Sequence, residues 1–463
     1  MQTYQDFIEA TGKGRLLPFL RKAINQHRDS DAYKIAVIAD DYDAQRNTTI
    51  NRAVQTIYSL NGMKNVDFTA SNNRIASNFF SRLNTQRCTY LLGNGVTFDA
   101  DGVKEKLGTD FDTDLYRLAY KALIHGVSFG FWNVDRLHIF PLTEFVPLLD
   151  EEDGTLRAGI RYWSMDWNKK PVTAVLYTED GYAKYRTKDG RTGLELEEVE
   201  PLRGYRQTIR HTDAGGDEVI GEENYGTLPV IPFYGSRNRQ STLVGMRAAI
   251  DSYDLIQSGF ANDLSDCAQV YWIIGNALGM DDSDVQRFMD RLRLAHVAVA
   301  DTDNSSVTPY TQEPPYNARE AYLARIASSI YRDFGAFNPE TVAAGAVTAT
   351  QINAAYQPMD EQTDDFEAQT TTFLRQLLSL QGIDAAPQYK RNRISNQAEQ
   401  IQSVLQEAQY LDDETMLSLL PNITPDMIPE ILARRDAQDN SRFEDGPEND
   451  QNNPIQAADT AEV

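Results

Sequence analysis

Between Ser241 and Gly275 the apolar positions fall at Leu243, Met246, Ile250, Tyr253, Ile256, Phe260, Leu264, Cys267, Tyr271 and Ile274, three or four apart. That period is one stripe of an amphipathic helix, whereas a half-buried strand alternates by twos. Some 35 residues at about 1.5 Å each give a rod of roughly 50 Å, longer than a small domain is wide. Arg247, Asp251, Asp254, Asn262, Asp263 and Asp266 occupy its other faces.

Before the rod, residues 1–62 read as helices. Leu16, Leu17, Phe19, Leu20 and Ile24 cluster around Pro18, and Ile35, Val37, Ile38 and Tyr42 form a second cluster. The stretch Asn72–Phe98 places Ile75, Phe79, Leu83, Cys88 and Leu91 at helical spacing and stops at Gly93 and Asn94–Gly95. Its Arg74, Arg82 and Arg87 read as a solvated or ion-paired helix face rather than a basic patch. A short helix over Leu115–His125 closes at Gly126. From Val127 the period drops to two, with hairpin signals at Asp153–Gly154, Asp180–Gly181 and Asp189–Gly190. Residues 127–235 are therefore expected to be mostly β, with 212–218 a loop. Residues 226–233 should be extended, since two prolines there lack ladder donors.

After the rod comes a small mixed unit over 276–315, with a short helix at Val285–Leu294, a strand at 295–300 and extended chain after the turn at 301–306. Asn317 and Glu320 make a variant capping box for a second rod, whose stripe is Tyr322, Leu323, Ile326, Ile330 and Phe334 and whose stop is Gly335. A run of small residues follows, centred on Ala343, Ala344, Gly345 and Ala346. Thr348 and Gln351 then open a third long helix reaching Leu380, in which Pro358 predicts a kink or break near 354–358. Its first half holds Asp360, Glu361, Asp364, Asp365 and Glu367 with no basic residue. Residues 384–435 read as a compact helical unit with caps at Ser395 and Thr424–Pro425. Residues 436–463, with eight acids and one arginine, read as a disordered tail.

Charge and chemistry narrow the function. The 463 residues suffice for about three domains of ~150. Net charge is −24 and the sequence pI about 4.6. Tight nucleic-acid binders neutralise phosphates with a basic face, so this balance argues against tight binding. It is compatible with a wall that DNA slides past. Two cysteines, Cys88 and Cys267, give no disulfide framework and fit a reducing compartment. No apolar run approaches the ~18 residues of a membrane span, and no secretory leader is visible. A phosphate loop, a dinucleotide fingerprint and a zinc helix are all missing. The five histidines lack metal spacing. Acid clusters at Asp281, Asp282 and Asp284, or Asp364 and Asp365, read as solvated surface. The expectation is no enzyme, no cofactor and no metal. One minor alternative is a hydrolase using carboxylates such as Asp150 and Asp153.

Several segments, in this order, are similar to one family: NNRIASNFF and YLLGNGVTF, HGVSFGFW, TEFVPLLDEEDGTLRAGIRYW, YGTLPVIPF, IDSYDLIQSGFANDL and VTATQINAAYQPMDEQTDDFE. Across roughly residues 40–435 the chain resembles the portal proteins of tailed bacteriophages, of the long-tailed siphophage type from Gram-positive hosts. The resemblance implies an α+β, mainly helical portal fold with wing, stem, clip and crown, assembling as a ring of about twelve subunits. It implies a wing over 1–240, a stem helix over 241–275, a clip over 276–315 and a second stem helix over 316–335. A tunnel loop and kinked tunnel helix would occupy 336–383, a crown 384–435 and the acidic tail 436–463. Val342, Ala343, Ala344, Gly345, Ala346 and Val347 would line the DNA channel, with Pro358 as hinge. Asp281, Asp282, Asp284, Arg287, Arg291, Asp301 and Asp303 would carry docking at the clip. The implied partners are the terminase large subunit, a head–tail adaptor, major capsid and scaffolding proteins, and double-stranded DNA in transit, with no membrane. Location would be the virion, after assembly in the bacterial cytoplasm. The alternative is another structural virion protein, an adaptor or minor head protein without a channel. The picture fails if Gly345 lies inside a hydrophobic core, or if the two rods pack antiparallel within a closed monomer.

Overall fold

The computed structural model describes residues 2–54, 56–58, 64–66, 71–164, 171–187, 194–212, 216–267, 271–275, 283, 287, 306–310, 316–341, 349–393, 397–408, 410–420, 423 and 427–435. The chain divides into two units, one of residues 1–341 with 355–392 and one of 342–354 with 393–463.

The first unit opens with four helices, α1 (Tyr4–Gly12), α2 (Leu16–Asp29), α3 (Asp31–Asp43) and the short α4 (Thr48–Asn51). Thr3 caps α1 in a reciprocal box with Asp6, and Ser30 caps α3. The expected helix does not continue to 62. A small hairpin follows instead, β1 (Thr56–Tyr58) against β2 (Lys64–Val66). Helix α5 (Phe79–Leu92) begins later than its spacing suggested, and residues 71–78 have no regular structure. After β3 (Val96–Phe98) and α6 (Val103–Leu107) comes α7 (Phe111–His125). Asp112 and Asp114 lie in its first turn and His125 in its last, the charge order a helix dipole favours. It ends at Gly126, whose φ of +88° suits glycine.

The β region forms two larger antiparallel sheets and a separate two-stranded one. One is a meander of β6 (Phe145–Leu149), β7 (Leu156–Trp163), β8 (Thr173–Thr178), β9 (Gly181–Thr187) and β10 (Leu196–Arg203). The other runs in the order β13 (Val230–Tyr234), β4 (Val127–Asn133), β5 (Arg136–Pro141). The proline-bearing 226–233 segment thus ends in an edge strand, with Pro232 opposite Phe129. The supposed loop at 212–218 is largely strand: β11 (Arg206–Thr212) pairs with β12 (Gly216–Glu223) from Thr212↔Gly216 outward. The turn signals at Gly154 and Gly181 hold, at φ of +69° and +137°; Asp189–Gly190 lies outside the described residues.

Pleat alternation sorts the meander's two faces. Ile160, Tyr162, Ala174, Leu176, Ala183 and Tyr185 pack under Phe19, Leu20 and Ile24 of α2. On the opposite face Val175 and Tyr177 meet Phe129, Phe131, Phe140 and Phe145. Helices α5 and α7 share a further core with Phe366, Phe373, Leu374 and Leu377 of a long helix, α10 (Ala349–Leu380). The rods α8 (Leu243–Cys267) and α9 (Tyr316–Phe334) root in a fourth core with α3, α5 and Ile124. Strands β14 (Tyr271–Gly275) and β15 (Ser306–Tyr310) pair between them, and β16 (Pro387–Tyr389) pairs with β3.

That last pairing ties residues expected in the C-terminal helical unit to the first unit. In the second unit the described elements are α11 (Gln397–Glu407), α12 (Asp413–Leu419) and helical residues 428–435. Asp412 caps α12 through Thr415 N–H at 3.1 Å. Ser395, Thr424 and the tail from 436 lie outside the described residues.

Candidate channel and docking segments

The first rod is shorter than its apolar period implied. Helix α8 stops at Cys267, giving 25 residues or about 37 Å. Tyr271 and Ile274, read as the end of its stripe, sit in β14 opposite Tyr310 and Val307. The run Tyr-Trp-Ile-Ile is aromatic and β-branched, which favours a pleated strand over a helix. The second rod, α9, matches its expected bounds and stops at Gly335 with φ +66°.

The rods are antiparallel. Leu243, Met246 and Ile250 of α8 share a core with Ile330, Tyr331 and Phe334 of α9. Further out, Phe260 meets Tyr316 edge-on at 5.7 Å, and Arg319 ion-pairs with Asp263. The pair is not sealed inside a core. Beyond Ile250 the buried side chains of α8 are polar, Asp254 and Ser258, while Leu255 and Leu264 are 45% and 46% exposed. Tyr322 of α9 is equally open at 46%. A groove of about 500 Å³ lies along this stretch, lined by Leu255, Ile256, Gly259, Ala318, Arg319 and Tyr322.

The buried polar stripe holds residues 71–78. Backbone N–H groups of Ser77, Ile75 and Asn73 donate to Asp254 Oδ1 (2.9 Å), Ser258 Oγ (2.9 Å) and Asn262 Oδ1 (2.6 Å). The match is metric: four helical residues rise about 6 Å and two extended ones about 6.6 Å. Asn47 donates its amide to Asp254, and Tyr42 and Thr49 donate their hydroxyls to Asp251. Burial raises the Asp254 pKa, partly offset by the hydrogen bonds from Ser77 and Asn47. The spacing Asp254, Ser258, Asn262 was the available sequence signal, hidden because polar positions on an amphipathic helix are ordinarily assigned to water.

Arg87 corrects the reading of its helix face. It is 7% exposed, donates to the Phe334 carbonyl at 2.6 Å and lies over the Phe334 ring at 4.1 Å. Burial lowers its pKa to about 10. It thereby ties α5 to the end of α9. Arg74 donates to the Asn51 carbonyl at 2.9 Å, and Arg82 lies over the Tyr331 ring at 5.7 Å.

Helix α10 runs through Pro358 without the expected break. Its acids are partly engaged by the chain itself. Arg391 pairs with Asp360 and Glu367, each at 3.0 Å, and with Asp364. Burial alone would lower the Arg391 pKa, but these carboxylates raise it. Tyr90 donates to Asp360 at 2.7 Å, and Asp365 accepts from Arg237 N–H at 3.1 Å. Upstream, Phe337 is buried and stacks on Tyr356 at 4.3 Å, so the start of the small-residue stretch is anchored.

Val342, Ala343, Ala344, Gly345, Ala346 and Val347 lie outside the described residues, as do Asp281, Asp282, Asp284, Arg291, Asp301 and Asp303. Arg287 is helical and donates to Ser283 Oγ at 3.0 Å. Asp150 and Asp153, the hydrolase candidates, shape the β6–β7 turn: Asp150 accepts from Glu152 N–H at 2.9 Å and Asp153 from Thr155 N–H at 2.7 Å. Among the described residues no group of three His, Cys, Asp or Glu is placed to hold a metal, and no helix is long and apolar enough to cross a membrane.

A rod pair rooted in a core, open along its outer half and carrying a two-stranded ribbon, has the build of an assembly subunit. The family model "Phage portal protein, SPP1 Gp6-like" matches residues 21–441. The portal protein of Bacillus phage SPP1 is 26% identical over 389 residues, covering 77% of this chain and 74% of the relative. That of Clostridium phage phiCD119 is 22% identical over 370 residues, covering 73% and 78%. Among solved structures, a chain in the neck of a native GTA particle computed with C12 symmetry aligns at 11% identity and a TM-score of 0.41, covering 74% of this chain and 88% of that one. The chain belongs to the phage portal protein family, SPP1 Gp6-like. The family is structural rather than catalytic, and its members are virion components. Its role, and that of this chain, is a channel through which the phage genome is packaged.

Proposed function

We propose that the chain forms this channel as a closed ring of about twelve identical subunits, with α8 and α9 as the stem. The observation carrying the proposal is the inverted outer half of α8, where polar side chains are buried and Leu255 and Leu264 are open. Such an apolar row is suited to a partner's surface, and a heterologous contact repeated head to tail closes a ring. In this reading residues 1–240 are the wing and 384–435 the crown. The segment between the rods, 276–315, is the clip that docks the terminase large subunit and later a head–tail adaptor. Asp281, Asp282, Asp284, Arg287, Arg291, Asp301 and Asp303 supply charge for those contacts. Val342–Val347 line the narrowest part of the channel, and Pro358 is the hinge. The division between the two units crosses α10 at Ala354/Ala355, within a turn of Pro358, which supports a hinge there. Capsid and scaffolding proteins surround the ring during assembly in the bacterial cytoplasm, and DNA passes without tight binding.

The test is assembly of the purified chain, followed by native mass measurement and negative-stain microscopy. Wild type is expected to give rings. Leu255→Asp with Leu264→Asp is expected to shift the population to monomers by at least about tenfold while changing monomer stability by under about 1 kcal/mol, as exposed substitutions do. Rings that persist undiminished in the double variant would remove the stem from the interface.

A further inference from the structure

The meander's second face is only partly covered by the three-stranded sheet. Where the cover stops, a cavity of about 290 Å³ opens between them. This is close to the lower end of small-molecule sites, roughly 300 Å³. Phe131, Phe140, Trp163, Tyr177, Tyr182 and Tyr205 supply its aromatic walls. Arg161, Lys184 and Arg203 bring positive charge, against Glu200 within the lining. Glu200 is shared by Lys184 at 3.2 Å and Arg203 at 2.5 Å, and Glu144 stands 3.6 Å from Arg161. Burial and the nearby Arg161 and Arg136 lower the His138 pKa, which disfavours its charged form.

Two donors in this cavity are buried and unmatched. The Nε atoms of Arg161 and Arg203 have no hydrogen-bond partner among the described residues. An unmet buried donor is costly, the more so when charged. Packing does not require these guanidinium groups, since a meander face under a second sheet is ordinarily filled by apolar side chains. Arg161 lies 4.3 Å from the Phe140 ring centroid and 4.6 Å from that of Trp163, and Arg203 lies 4.8 Å from that of Tyr182. The side chains of Arg161 and Arg203 as a whole stay partly exposed, at 26% and 37%, so an anion can meet their accessible N–H groups while a further planar ring extends the aromatic pile.

We propose that this cavity is a binding site for a small planar aromatic anion, a ring bearing a phosphate or a carboxylate. The ring lies among the aromatic walls and the anionic group faces Arg161 and Arg203, with Lys184 at the rim. The site is independent of the channel and of ring closure.

The test is calorimetric titration of the full-length protein with four probes. Two carry ring and charge: 2′-deoxyadenosine 5′-monophosphate and 4-hydroxybenzoate, which separate a phosphate-bearing from a carboxylate-bearing source. Two controls carry one feature each: 2′-deoxyadenosine and inorganic phosphate. Saturable binding of at least one ring-bearing anion is expected with Kd below about 1 mM, and at least about tenfold weaker binding of both controls. Arg203→Gln and Lys184→Gln, at side chains 37% and 33% exposed, should each weaken binding about tenfold at an unchanged melting temperature. Absence of saturation by both ring-bearing anions up to about 10 mM would overturn the proposal. So would equal binding by phosphate alone, or unchanged affinity in Arg203→Gln and Lys184→Gln with Arg161→Gln as a third check.

Discussion

At the scale of single residues, the informative positions are charged or polar groups held away from water. Asp254 is fully buried on α8 and accepts from Ser77 N–H and the Asn47 amide. Its pKa is raised, burial being the largest cause. The folded chain therefore holds the proton more tightly than the unfolded chain does. Its contribution to stability is fully present below the unfolded pKa and is lost as pH rises through the folded value. The amide introduced by Asp254→Asn does not titrate, so the melting temperature of wild type minus that of this variant should fall as pH is raised from about 4 to 7. A flat or rising difference would contradict the assignment. Asp254→Ala removes the acceptor altogether, and should destabilise by about 1–3 kcal/mol for each donor left unmatched. In the sequence only the spacing Asp254, Ser258, Asn262 pointed to it. An Asp on a helix facing water and one anchoring a neighbouring segment look alike until the segment is placed. Arg87 was misread for the same reason, its partners being a carbonyl and a ring more than 240 positions away.

At the scale of elements, the local rules succeeded where one helix or hairpin decides its own ends. Helix α7 closing at Gly126, α9 closing at Gly335 and the turns at Gly154 and Gly181 all follow from backbone preference. They failed where two elements decide together. The apolar period carried α8 into what is β14, because threes and fours do not show where the helix yields to a paired ribbon. Residues 71–78 kept a helical spacing that the α8 side chains override. Helix α10 tests the opposite balance, since it stays helical through a residue that cannot donate a backbone hydrogen bond. An interior proline costs about 3 kcal/mol relative to alanine, and Pro358 is exposed, so no core packing is lost on replacement. Pro358→Ala is therefore expected to raise stability by up to about 3 kcal/mol in denaturant unfolding. If the proline serves as the hinge proposed above, the same change leaves ring formation intact and lowers the yield of filled capsids. A variant both more stable and fully active would leave Pro358 without that role.

At the scale of the whole molecule, net charge and the proposed channel lining bear on the same question, how a channel passes a polyanion. The chain carries −24, so a ring of such subunits repels DNA at long range. If the run of small apolar side chains at 342–347 lines the channel as proposed, it gives the phosphates nothing to pair with, which lets DNA move rather than bind. The small-residue run between two long helices is visible in the sequence without coordinates. Which side chains face the lumen was not visible, because it depends on neighbouring subunits. Placing charge there makes the argument testable. Ala344→Lys with Ala346→Lys adds two cations per subunit, which in the proposed ring would face one another around the pore. Each phosphate neutralised makes affinity fall with salt at a slope of about −0.9 in log–log form. Rings of this variant should hold linear duplex DNA at low salt, release it steeply as salt rises, and package at least about tenfold less DNA than wild type in an infected cell. Wild-type rings should show little retention under the same conditions. Packaging at the wild-type level, with no salt-dependent retention, would mean that these residues do not meet the DNA and that the constriction lies elsewhere along the chain.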